Sequence, residues 1–264
     1  MLTEIDVEYV RKMVEEGKRE DGRGFEEFRP LKIEMGYVKN AEGSAMVTLG
    51  ETKVLVGVKM EIGEPFPDTP NEGVLIVNAE LGPIASPEFE SGPPDEDAIE
   101  LARVVDRGIR EAKVIDLEKL CIEPGEKVWM ICIDIHVLND CGNLIDASSL
   151  GAVAALLNTH IPKLKEDGTI DRGTVDRKLE LSGIPIACTI HKIGSKMILD
   201  PTMKEEEAVD GRLTITTVNG MICAMQKGGK CGFTPEEVFK AIDISLKKGE
   251  EIRKKYFQRD VNEE

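Results

Sequence analysis

Residues 146–159 read DASSLGAVAALLNT. At helical spacing this stretch is apolar on nearly every side, and a helix with no polar face belongs in the interior, sandwiched between layers. NDCGN at 139–143 turns the chain into it from KVWMICIDIHVL at 127–138, a long strand pattern that follows a turn at Pro124 and Gly125. Before that, DEDAIELARVVDRGIREA at 95–112 has helical periodicity, with acids in its first turn where the helix dipole favours them. Further upstream, residues 2–17 read as an amphipathic helix. They are followed by strand patterns at 31–38, 44–50, 52–60 and 73–81, whose intervening glycines and charges look like the turns of a mostly antiparallel meander.

On the other side of the apolar helix, residues 161–183 lose periodicity and gain charge, which marks them as a boundary between two halves, 1–165 and 180–264. Strand patterns resume at 184–192 and 195–199, then in LTITTV and MICAMQ around Asn219-Gly220, a hairpin signal because both residues tolerate positive φ. The closing helix has Thr234 as cap, Pro235 at its first position and Glu237 to complete a capping box. Strands followed by helices, twice over, predict an α+β fold of two halves, with sheets packed around buried helices.

The chain of 264 residues is 41% hydrophobic and 32% charged, long enough to bury a substantial core. No apolar run approaches the roughly 20 residues that a bilayer requires. The N-terminal stretch has no uninterrupted apolar core of the signal-peptide kind, so the protein is expected to stay inside the cell, without a membrane partner. The six cysteines form no CxxC pair and lie in strand-like apolar surroundings, which predicts reduced, buried packing residues. A net charge of −16 argues against a free-standing nucleic-acid binder, although a few focused cations could still meet RNA inside a complex. The densest charge lies in KREDGRGFEEFRP at 18–30, where arginines either clamp a phosphate or pair with the carboxylates beside them and fix a turn.

That charged stretch has company. DGR, then RP, then AEGSAMVTLGETKVLVGV resembles the entry of the RNase PH family of phosphorolytic exoribonucleases, whose fold is ribosomal-protein-S5-domain-2-like. Within that family, NAEL, ASPEF, SGPPDE, ELARVVDRGIRE, LCIEPGEKVW and GNLIDA resemble the non-catalytic RNase PH-like subunit of the archaeal exosome ring. The resemblance implies a cytoplasmic, hexameric ring of three heterodimers, each pairing this subunit with a catalytic paralogue. RNA-binding cap proteins would feed it single-stranded RNA, and the paralogue would use inorganic phosphate and Mg²⁺. The chain itself is then expected to hold no cofactor and no metal, and the charged stretch becomes a fold and interface element.

Three family elements test whether the chemistry survives. Catalytic relatives hold phosphate with a Gly-Ser/Thr-Arg turn that opens the buried helix; the residues matched to it here are Ser148, Ser149 and Leu150, with no arginine. Losing such a donor costs on the order of a hundredfold in rate. Where active members carry an RNA-gripping arginine pair, this chain has Asp95 and Glu96, and a carboxylate about 4 Å from a phosphate is repelled by roughly 4 kcal/mol at an effective dielectric near 20. The family's aspartate pair survives as Asp200 and Glu206, either a remnant cation site or a solvated turn. The expectation is therefore no catalytic residue. The alternative is an active phosphate-dependent 3′-to-5′ exoribonuclease forming a homohexamer.

Arg103, Arg107 and Arg110 lie within a 60° arc of their helix at about 100° per residue, opposite Ala98, Leu101, Ala102, Val105, Ile109 and Ala112. By themselves they read as a solvated stripe paired with Glu100, Asp106 and Glu111. The resemblance implies instead that they hold RNA phosphates beside the partner's active site. Asp134 and His136 share one strand face and read as a satisfied core pair, while His160 and His191 fit no pattern.

Overall fold

The computed structural model of the chain describes residues 4–258. Helix α1 (Glu4–Glu15) leads into β1 (Leu31–Met35), β2 (Gly43–Leu49) and β3 (Thr52–Gly63), a meander of antiparallel neighbours as expected. The next strand, β4 (Val74–Leu81), departs from that expectation. It crosses to the far edge of the sheet, and after α2 (Glu96–Ala112) and the short β5 (Cys121–Glu123) the chain returns through β6 (Lys127–Asn139), to which β4 pairs in parallel. The sheet order is β1-β2-β3-β6-β4, with β5 beside β6. A parallel pair needs a crossover of a dozen residues or more, and α2 supplies it.

Next comes the apolar helix α3 (Leu144–Leu157), in which every residue from Asp146 to Leu156 is buried. The segment at 161–183 is more regular than its composition suggests, since β7 (His160–Leu164) and β8 (Ile170–Lys178) pair there as a hairpin. Because β8 stands out from the body, most of its residues are exposed on both faces, and no alternating pattern marks it in the sequence. A second, antiparallel sheet is built from β9 (Ile186–Ile193), β10 (Lys196–Leu199), β11 (Gly211–Val218) and β12 (Met221–Gly229) in the order β10-β9-β11-β12, with α4 (Met203–Glu206) between β10 and β11. Asn219 and Gly220 form its turn at φ of 50° and 76°. Helix α5 (Pro235–Ile252), begun by the Thr234–Glu237 capping box, covers β9 and β11.

Helix α3 is the middle layer. It packs on β2 and β3 of the first sheet and on β9 of the second, so one core runs from Val47 and Val56 through Leu150 and Val153 to Ile186, Cys188 and Val218. Fully burying each such aliphatic side chain stabilises the fold by about 1.5–3 kcal/mol. Among the cysteines only Cys188 is buried; the others are half-buried, and all six are free thiols. No helix among the described residues is long and apolar enough to cross a membrane.

Close approach of α3 to the first sheet depends on Gly151, where a Cβ would lie 2.7 Å from Val56 Cγ2 and 3.5 Å from Val47 Cγ2. Gly151→Val is expected to destabilise the chain by about 1–3 kcal/mol through overpacking. The midpoint of urea unfolding against wild type measures it.

Candidate functional site

The turn into α3 brings together residues from both ends of the chain. Asp200, fully buried and held at φ 47°, accepts from Arg29 three times: from Nε at 2.9 Å, Nη2 at 2.7 Å and the backbone N–H at 2.6 Å. The same guanidinium donates onward to the carbonyls of Cys141 and Gly142, which form the turn. Asn143 Nδ2 donates to Asp200 at 2.9 Å and to Asp146 at 3.1 Å, and Thr189 Oγ1 donates to Asp146 at 2.7 Å. Burial raises the Asp200 pKa, but the hydrogen bonds and charge of Arg29 outweigh it and hold this carboxyl below its usual range.

Arginines of the charged stretch are consumed here. Arg19 is buried and forks onto Glu205 at 2.6 and 2.8 Å, and Arg23 reaches both Asp21 and Asp200. Their pairing is structural, as one expectation had it, but the main partners are carboxylates some 180 residues away rather than those alongside. Asp200 and Glu206 are correspondingly not a solvated turn. Asp200 belongs to the buried fork, and Glu206 Oε1 accepts the backbone N–H of Asn143 at 2.7 Å. No group of three or more His, Cys, Asp or Glu side chains that could hold a metal ion occurs among the described residues.

The opening of the buried helix lies four residues earlier than the match to Ser148, Ser149 and Leu150 places it. Helix α3 starts at Leu144 with Asn143 as its N-cap, which puts Leu150 well inside the helix, past its first turn, at 1% exposure. At the mouth itself stand Asn143, Leu144 and Ile145, again without a cation. A helix N-terminus attracts anions, and here the chain's own Glu206 carboxylate meets it. Asp140, Asp97 and Glu100 border the same space. Burial, with the charge of Asp140 added, pushes Glu206 up to about 7 although the Asn143 bond opposes it.

Helix α2 presents the second surface. Asp95 caps it by accepting from the Ala98 N–H at 2.9 Å, so this acid has a structural role in starting the helix. Arg103, Arg107 and Arg110 are all exposed on one face, over a cleft between α2, β4 and β12 that Lys227 also lines. The pairs of a solvated stripe form only in part. Arg110 is held by Asp106 at 2.6 Å and by the Leu75 carbonyl at 2.9 Å, whereas Glu100 turns away to Arg212. Arg103 and Arg107 have no ion pair among the described residues. Lys227 carried no usable signal, because a lone lysine on a strand gains a role only when β12 is laid beside α2.

Asp134 and His136 are not a core pair. They sit half-buried on the sheet face turned away from α3, where Asn78 donates to Asp134 and Glu80 lies 3.1 Å from His136 Nδ1 across the parallel β4–β6 register. His160 is exposed, and His191 is buried with no hydrogen-bond partner for Nδ1.

These features agree with what the chain resembles as a whole. Residues 27–162 match domain 1 of the 3′ exoribonuclease family, RNase PH, and residues 183–248 match its domain 2. The chain belongs to this family. It is 52% identical over 97% of its length to the exosome complex component Rrp42 of Thermococcus kodakarensis, covering 95% of that protein. To the protein of the same name from Methanosarcina acetivorans it is 51% identical over 98%, covering 96% of that protein. Among solved structures, a chain of the Archaeoglobus fulgidus exosome with RNA bound to the active site superposes with a TM-score of 0.89 at 48% identity, covering 96% of this chain and 98% of that one. A chain of an archaeal exosome core gives 0.85 at 44%, covering 96% and 97%.

Burial pushes Asp146 from its ordinary 3.8 up to about 7, against the bonds from Thr189 and Asn143. A folded-state pKa above the unfolded one means that the stabilisation is complete below the ordinary value and is lost as pH rises through about 7. Asp146→Asn should remove that loss, so its unfolding free energy should decline less than wild type between about pH 4 and about pH 8, by on the order of 2–4 kcal/mol. Urea titrations across that range measure the slope.

Proposed function

We propose that the chain is a non-catalytic component of an archaeal exosome, a 3′-to-5′ RNA-degrading complex, and that it shapes the active site and RNA path of a catalytic RNase PH-like partner. The observation that carries this is the mouth of α3. Phosphorolysis needs cationic donors beside the terminal phosphate, and here the helix N-terminus meets Glu206 with no arginine in its first turn. The names of the similar proteins support the same assignment.

On this reading the chain pairs with its catalytic paralogue in a cytoplasmic hexameric ring of three heterodimers. Cap proteins deliver single-stranded RNA, and phosphate and Mg²⁺ act at the partner. Arg103 and Arg107 serve as phosphate contacts because no acid among the described residues pairs with them, and Arg110, steadied by Asp106, borders the same cleft. Two free guanidiniums on one helix face supply the focused positive charge that a chain of net charge −16 needs to meet RNA.

The purified chain, incubated with single-stranded RNA, inorganic phosphate and Mg²⁺, is expected to release no nucleoside diphosphate; release would overturn the assignment in favour of an active homohexamer. In the reconstituted pair, Arg103→Ala with Arg107→Ala should slow RNA trimming. It should also lower the slope of log affinity against log salt by about 1 per arginine, with assembly by gel filtration unchanged. An unaltered salt slope would mean that this face does not touch RNA.

A further inference from the structure

Beside the first turn of α3 lies a cavity of about 260 Å³, and its charge is the reverse of what a phosphate requires. Asp97, Glu100, Asp140 and Glu206 line it against the single guanidinium of Arg212, which is already paired with Glu100 at 2.5 Å. Asp97, Asp140 and Glu206 have no ion pair among the described residues, and Arg29, whose charge acts on Asp140 and Glu206 from outside the lining, is itself paired with Asp200. Asn143 and His191 also line it, exposed by only 1% and 3%, and Asn143 Oδ1 and His191 Nδ1 have no hydrogen-bond partner. Burial, assisted by the charge of Arg212, pulls His191 down to about 3, so the ring is neutral at physiological pH. Burial is likewise the main cause that raises the pKa of Glu206, with the charge of Asp140 added and the Asn143 bond, Arg29 and Arg212 opposing it.

An anion is excluded by the carboxylates. A single metal ion does not fit either, because these side chains nowhere converge in threes at coordinating range among the described residues. What the lining suits is a cation whose charges are spread along an apolar chain, with methylenes against Leu81 and Phe89 and donors toward the separated acids. We propose that this cavity binds a linear alkyl polyamine, its ammonium groups meeting Glu206, Asp140 and Asp97. The site is distinct from the arginine face of α2 and stands whether or not Arg103 and Arg107 meet RNA.

Calorimetric titration of the purified chain with spermidine, in buffer of physiological ionic strength, is expected to show one saturable site. Glu206→Gln and Asp140→Asn should each weaken it by about tenfold or more, the loss of one charged hydrogen bond. Glutamine at 206 still offers an oxygen to the Asn143 N–H, and a melting temperature no lower than that of wild type checks that the fold is intact. Glu126→Gln, on the exposed turn before β6, should leave binding at the wild-type level. Three results would overturn the proposal: no saturable binding, equal affinity in all variants (the signature of a diffuse acidic surface), or Mg²⁺ displacing spermidine at equal ionic strength with higher affinity of its own.

Discussion

A fully buried carboxylate is tolerable only if something equally well placed answers its charge, and for Asp200 that is Arg29. The fork between them joins the arm before β1 to the end of β10. The remaining donors of Arg29 fasten the carbonyls of Cys141 and Gly142, which set the direction in which α3 leaves the first sheet. Asn143 continues the connection from Asp200 to Asp146 and Thr189 in the second sheet. One charged pair thus fixes where the buried helix begins and how the two sheets sit on either side of it.

This arrangement also sets the charge at the mouth of α3. Arg29 is committed to Asp200 and to backbone carbonyls, Arg19 and Arg23 to the same segment, and Arg212, which lines the same space, to Glu100. Glu206 meets the helix N-terminus, and Asp140, Asp97 and Glu100 surround it. Over a few ångströms at an effective dielectric near 20, an ionised carboxylate opposes a phosphate by about 4 kcal/mol. The site is inverted in sign, not merely short of one donor, and that inversion makes a cationic ligand the natural occupant.

Helix α2 divides its labour by face. Its apolar side packs on β4 and against the second sheet, its acidic first turn is capped by Asp95, and its arginines face out over a cleft that neither sheet closes. Since Glu100 is drawn off to Arg212, the stripe that could have neutralised itself along the helix leaves Arg103 and Arg107 unopposed. A contact between the two halves therefore decides how much free positive charge the outer face of α2 carries.

Much of this was legible in the residues taken in order. A helix without a polar side had to lie between layers, Thr234 and Glu237 had to cap α5, Asn219-Gly220 had to turn a hairpin, and one face of α2 had to carry three arginines. Those features follow from periods of two or 3.6 residues and from local hydrogen bonds, which the sequence contains within a few positions. The parallel pairing of β4, the partners of Arg19 and Arg29, the true start of α3 and the placing of Glu206 at its mouth were decided only by the tertiary structure. Each depends on residues far apart in the chain, 171 positions in the case of Arg29 and Asp200, and charge pairing at such separations leaves no local pattern to read.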